Sequence, residues 1–224
     1  MADLDILNYA LTLEHLEDMM YQKAIASGAL SGRALQLAQE FGAAEHQHAV
    51  TLTSVISQMG GTPAAARASY NFPAFSDQAS TLSFLIKIED TGVGAYLGQV
   101  ANIQSGTLLG AAASIYAVEA LHTAALRTLV GMPANPNGAF EKPLDMATVL
   151  AAAGPLLGPV AGATSSAPAS TPATSTAQVP AQMPNTGAGG MAQPGISPVA
   201  VAAAGAAALA VGVALRSRTS EDNS

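Results

Sequence analysis

One pattern occurs twice in this chain and narrows what it can fold into. Glu14 is followed by Tyr21 and then by Glu45-His46-Gln47-His48; Glu89 is followed, at the same interval, by Tyr96 and then by Glu119-Ala120-Leu121-His122. The step from the first Glu to the Glu-x-x-His is 31 residues in one copy and 30 in the other. A four-helix bundle that holds two metal ions needs this set: one Glu from each of two helices, one Glu-x-x-His from each of the other two. Four carboxylates and two imidazoles drawn into a bundle interior are costly unless cations neutralise them. The pattern therefore points to chemistry as well as to an all-α architecture.

The hydrophobic periodicity agrees with four long helices. Helix 1 is predicted from about Asp3 to Ser27, capped by Asp3 or Asp5 and ended by Gly28. Helix 2 starts after Ser31 and stops at Gly60-Gly61. Residues 60–77, with Pro63, Tyr70, Phe72, Pro73 and Phe75, have the length of a crossover, and their aromatics are expected over the core. Helix 3 is predicted from Asp77 or Ser80 to about Gln104, and helix 4 from about Thr107 to Gly131-Met132-Pro133. A short helix near Leu144–Ala153 is expected to dock back on the bundle.

Each helix face that carries the pattern is otherwise apolar. On helix 2 the stripe is Ala38, Phe41, Glu45, His48, Leu52, Val55 and Met59. On helix 3 it is Leu82, Leu85, Glu89, Tyr96, Val100 and Ile103, and on helix 4 Ala112, Ile115, Glu119, His122, Leu126 and Leu129. A carboxylate within an apolar stripe is the informative event. Glycines 92, 94 and 98 weaken helix 3, which calls for the close approach of a neighbour or a local bulge.

The expected metal ligands are Glu14, Glu45, His48, Glu89, Glu119 and His122. Residues three apart share a helix face, so Glu45 with His48 and Glu119 with His122 each reach one ion. Glu14 and Glu89 are expected where a carboxylate bridges two ions. Imidazole with carboxylate suits iron or manganese better than calcium, and the absence of cysteine excludes thiolate sites and disulfides. The competing reading is a bundle whose Glu side chains face water.

Tyr21 and Tyr96 are read as donors to ligand carboxylates, or as core aromatics. Glu17, one turn beyond Glu14, corresponds to Gly92 in the other repeat. It reads as a surface charge or a supporting residue near the ligands; the sharper reading is a seventh ligand that binds in one oxidation state only. His15 and His46 are expected at a surface or interface, and Asp90 is expected to pair with a base such as Lys87.

The segments LNYALTLEHLEDMMY (7–21), EFGAAEHQHAVTL (40–52), IKIEDTGVGAYLG (86–98) and ASIYAVEALHTAALRTLVG (113–131) resemble the ferritin-like superfamily, and within it the bacterial ferritin-like, desiccation-related family. The resemblance covers roughly residues 3–155 and implies two iron ions on the six ligands, reacting with dioxygen or peroxide. It also implies a role in oxidative or drying stress. The sequence leaves open a rival of another class, a non-catalytic helical module with structural metal or none.

The rest of the chain differs in composition. Residues 1–155 are expected to form the bundle, and residues 156–195, rich in Ala, Ser, Thr, Pro and Gly, a disordered linker. Residues 196–215 are twenty uncharged, mostly apolar residues, about enough for a helix to cross a bilayer. Residues 216–224 form a polar tail that opens with Arg216 and Arg218. Met183-Pro184-Asn185-Thr186-Gly187 resembles the sortase pentapeptide, whose usual first residue is Leu. Pentapeptide, apolar segment and Arg pair together resemble a cell-wall sorting signal, implying sortase, wall or membrane as partners. The expected location is the cell envelope with the bundle outside. The alternative is cytoplasmic, because Met-Ala-Asp-Leu-Asp enters helix 1 without a basic or apolar signal segment. With a formal charge of −7 and no basic cluster, nucleic acid is not expected as a partner; a homo-oligomer is left open.

Overall fold

Glycine at positive φ sets three of the chain's turns: Gly28 at +73°, Gly60 at +77° and Gly131 at +76° each take the left-handed conformation just beyond a helix. The computed structural model describes residues 2–159. Between those turns lie α1 (Asp3–Ala26), α2 (Gly32–Gln58), α3 (Gln78–Gln99), α4 (Gly106–Leu129) and α5 (Met146–Ala153), followed by a 3₁₀ turn at Gly154–Leu156. Among the described residues the one extended pairing is an isolated bridge between Tyr70 and Leu157. The fold is all-α, as expected.

Helix α1 packs along α2, and α3 along α4; α1 also meets α3, and α2 meets α4. The four long helices therefore enclose one interior, and the segment between α2 and α3 is the long crossover. Two apolar clusters fill the bundle. Leu16, Met20, Phe41, Leu85 and Leu126 belong to one. Leu11, Leu52, Ile56 and Ile115 belong to the other. On α2 and α4 the carboxylates Glu45 and Glu119 fall between the two clusters. Apolar packing at both ends thus seals an acidic middle layer from water.

The crossover and the C-terminal strap close the outside. Tyr70 stacks on Phe72 with ring centroids 5.5 Å apart, and Phe72 and Phe75 both pack on Phe84 of α3. The Asn71 amide donates to the Leu156 carbonyl at 2.8 Å, so the crossover holds the chain that follows α5. Leu144 lies against α3, its amide donating to the Gly94 carbonyl at 2.9 Å. A Cβ at Gly98 would overlap the Leu144 carbonyl. Two of the three glycines of α3 thus make way for this strap.

Several expectations at helix ends are corrected. Asp3 does not cap α1: its carboxylate accepts from the amides of Gln104 and Ser105, at 2.9 and 3.0 Å, and ties the α3–α4 turn to the start of α1. Asp5 takes the capping role, accepting from the Ala2 amide at 3.2 Å. Helix α3 ends at Gln99, not near Gln104, so Val100 is 40% exposed and leaves the apolar stripe. Met59, expected on the α2 stripe, is 43% exposed, and Ile56 is buried in its place. Asp77 caps α3 by accepting from the Ser80 amide at 2.9 Å.

Helix α4 is the one described helix long and apolar enough to cross a membrane, with a mean hydropathy of 1.3. It carries buried Glu119, His122 and Arg127 and packs in the bundle. The linker and apolar helix expected beyond residue 159, the polar tail, and the Met183–Gly187 motif lie outside the described residues.

Candidate metal centre

The six expected ligands come from four helices: Glu14 from α1, Glu45 and His48 from α2, Glu89 from α3, and Glu119 and His122 from α4. The carboxylates of Glu14, Glu45, Glu89 and Glu119 are 0% exposed. Their donor atoms form two overlapping quartets. Glu14, Glu45, His48 and Glu119 make one, and Glu45, Glu89, Glu119 and His122 the other; within each, one ligand atom per residue lies within 4.8 Å of all the rest.

The overlap corrects one assignment. Glu45 and Glu119 belong to both quartets, while Glu14 and Glu89 belong to one each. Glu45 turns Oε2 toward His48 Nδ1 at 3.0 Å and Oε1 toward His122 Nδ1 at 2.8 Å. The position that reaches both quartets therefore belongs to the Glu of each Glu-x-x-His, and Glu14 and Glu89 reach one quartet each. Each quartet offers three carboxylates and one imidazole.

Hydrogen bonding alone does not satisfy this arrangement. His48 Nδ1 lies 3.0 Å from Glu45 Oε2, 3.2 Å from Glu119 Oε1 and 3.3 Å from Glu14 Oε2. One N–H cannot serve three acceptors. His122 Nδ1 approaches Glu45 and Glu89 at 2.8 and 3.5 Å, yet makes a hydrogen bond to neither. Glu14 Oε2, Glu45 Oε1, Glu89 Oε2 and both Glu119 oxygens are likewise buried without a hydrogen-bond partner. Buried polar atoms without partners are costly. Lone pairs that converge on common points fit a cation at each quartet, and carboxylate with imidazole fits a first-row transition metal.

Supporting residues fix the carboxylates. The Tyr21 hydroxyl on α1 donates to Glu89 Oε1 on α3, and the Tyr96 hydroxyl on α3 donates to Glu14 Oε1 on α1. The two bonds cross the bundle in opposite directions and match the repeat in the sequence. Phe41 stacks on the His122 ring with centroids 4.1 Å apart and planes 24° from parallel.

The electrostatics follow from burial. It pushes the Glu14 carboxyl up to about 7, the nearby Glu45 charge adding to the effect and His48 opposing it. Burial also raises Glu89, and takes Glu119 well above the usual carboxylate range. Burial acts on Glu45 too, but His122 and His48 on either side outweigh it and bring Glu45 down to about 2. Burial alone would lower both histidines; instead Glu119, Glu14 and Glu45 raise His48 to about 12, and Glu45 and Glu89 raise His122 to about 9. Without metal, protons on the imidazoles thus act as internal counter-ions, in the place that cations would take.

Three residues stand differently from expectation. Glu17 is 2% exposed, so it is no surface charge. Burial, then the charge of Glu119, raises its carboxyl well above the usual range. Asp90 pairs with Arg127 of α4, not Lys87, and also accepts from Thr123 at 2.8 Å. His15 is half-buried, its Nε2 donating to the Ala64 carbonyl of the crossover at 3.1 Å. His46 is at the surface, as expected, with Asp18 at 3.1 Å.

The Asp90–Thr123–Arg127 set escaped the sequence reading. It joins α3 to α4 beside Glu89 and His122. Its only signal is the four-residue step from Thr123 to Arg127, which puts both on one helix face toward a neighbouring acid.

No curated protein matches the chain. The family model of the ferritin-like domain matches residues 2–132, more than half of the chain and all six residues of the two quartets. With four helices converging on paired carboxylate–imidazole quartets, this match means that the chain belongs to the ferritin-like domain family.

Proposed function

We propose that the chain is a di-iron carboxylate protein that acts as an oxidoreductase on iron with dioxygen or peroxide. The observation that carries the reading is the pair of buried quartets joined by Glu45 and Glu119, with carboxylate oxygens left without hydrogen-bond partners. Three carboxylates and one imidazole per ion favour iron or manganese over calcium or magnesium. A ferrous pair held there would supply two electrons to the oxidant.

The chain's own groups set the conditions for that chemistry. Glu45 and Glu119 hold the two positions together. Tyr21 and Tyr96 orient the carboxylates of Glu89 and Glu14 and stand as proton donors at their Oε1 atoms. The apolar clusters on either side exclude bulk water and strengthen each charge interaction.

The test is anaerobic loading of the full chain with ferrous iron, then exposure to dioxygen or peroxide while ferric absorbance is followed. Rapid oxidation that is lost in Glu89→Ala with helicity retained supports the reading. No oxidation with either oxidant favours a metal-binding bundle without turnover. Envelope display and a role in oxidative or drying stress belong to the same proposal and rest on the tail residues and the sequence resemblance. Fractionation of cells with and without residues 183–224 tests the display.

A further inference from the structure

Glu17 is a buried acid that the two quartets do not use. It is 2% exposed, and its Oε2 is buried without a hydrogen-bond partner. It follows Glu14 by three residues on α1, so both side chains lie on the interior face. The equivalent residue in the other repeat is Gly92, three residues after Glu89. A Cβ at Gly92 would lie 2.8 Å from Glu17 Oε1 and 3.3 Å from Glu119 Oε2. The Cα–H face of Gly92 is thus the space into which Glu17 and the shared carboxylate fit. A glycine inside α3 weakens the helix, and an unpaired buried carboxylate is costly in its own right. Both unfavourable features meet at one point beside Glu119.

We infer that Glu17 is a seventh protein ligand of the metal pair, contributed by one half of the repeat only, which makes the two metal positions chemically unequal. The inference rests on the dimetal reading above. Its physical content is simple: the fifth carboxylate is compensated when it coordinates a cation next to Glu119, and Gly92 exists in α3 because any larger residue would push that carboxylate aside. The shared pair Glu45 and Glu119 is symmetric between the quartets; Glu17 against Gly92 is where that symmetry breaks.

Cobalt(II) alone is the probe, because its visible absorption strengthens as coordination number falls. The full chain, Glu17→Gln and Glu17→Asp are titrated, with circular dichroism as the fold check. Wild type takes two ions. Glu17→Gln keeps the shape and removes an anionic donor, so one of the two ions binds about tenfold or more weakly and the absorption rises. Glu17→Asp keeps the charge but withdraws the oxygen by one methylene. If Glu17 ligates, Glu17→Asp resembles Glu17→Gln in its spectrum; if it acts by charge alone, Glu17→Asp resembles wild type, and the inference is overturned. Spectra of both variants superimposable on wild type overturn it as well. Where Glu17→Gln does not fold, the aspartate variant decides. A wild-type chain that takes up no cobalt overturns the dimetal reading itself, so the two failures are told apart.

Discussion

The Tyr21 hydroxyl donates across the bundle to Glu89, and its repeat-mate Tyr96 donates back to Glu14. Both phenols are buried, and burial followed by the adjacent carboxylate keeps each of them protonated far above the ordinary tyrosine range. Tyr21→Phe leaves one buried carboxylate oxygen without its donor. The expected cost is about 1–3 kcal/mol of stability and a roughly 10–100-fold weaker uptake of metal. Tyr96→Phe is expected to match it within a factor of a few. Urea denaturation and metal titration check both; two variants indistinguishable from wild type would mean that the phenols only fill space.

Asp90 and Arg127 form an ion pair that joins α3 to α4 outside the two quartets. Arg127 is 8% exposed, so Asp90→Ala strands a nearly buried guanidinium. A fully buried pair broken from one side costs about 3–5 kcal/mol. The Asp90 side chain is 37% exposed, and solvent screening lowers the figure to about 2 kcal/mol. Metal affinity is expected to fall as well, because Glu89 and His122 lie beside the clamp on the two helices. Equilibrium unfolding with and without metal measures both effects.

Gly98→Ala addresses the strap. The added methyl would overlap the Leu144 backbone, which cannot rotate away as a side chain tip can. Displacing the strap costs about 1–3 kcal/mol as overpacking, against a gain of about 1 kcal/mol in helix propensity. A net loss is expected, with faster proteolysis between Leu144 and Leu157 and unchanged metal stoichiometry. A stabilised variant would show that the strap is loosely held.

The four helices and their inward faces were legible because apolar residues recur at helical spacing and the turns are marked by glycine. The six converging residues were legible for the same reason: Glu and His interrupt apolar stripes. Their division of labour was not. Whether Glu14 or Glu45 is shared by the two quartets depends on which imidazoles flank it across the bundle, and only the packing of α2 against α4 puts Glu45 between His48 and His122. Asp90 was matched to Lys87, a neighbour on its own helix, because spacing along one helix is visible in sequence and the approach of Arg127 from another is not. Gly92 shows the same limit: its absent side chain has meaning only once Glu17 is seen to face it.

The metal-free bundle should lose stability as pH rises, and metal should reverse the trend. The Glu14 carboxyl goes from its ordinary 4.5 up to about 7 on folding, because burial outweighs the help of His48. Between those values the folded state binds more protons than the unfolded chain, so stability falls with rising pH. His48 goes from 6.5 to about 12, and His122 to about 9, under the pull of neighbouring carboxylates. Their stabilisation is complete below 6.5 and is lost on the way up to those folded values. Glu45, lowered to about 2 by the two histidines, adds stability above its ordinary 4.5 that is lost only as pH falls toward 2. All three effects put the optimum of the metal-free form near pH 5. Metal competes with protons for the same lone pairs, so its binding strengthens as pH rises, and it stabilises the folded state in proportion to the logarithm of one plus the ratio of free metal to its dissociation constant. Denaturation at pH 5, 6, 7 and 8, once with chelator and once with saturating metal, is therefore expected to give slopes of opposite sign. Parallel slopes would mean that the ions bind somewhere other than on Glu14, His48 and their neighbours.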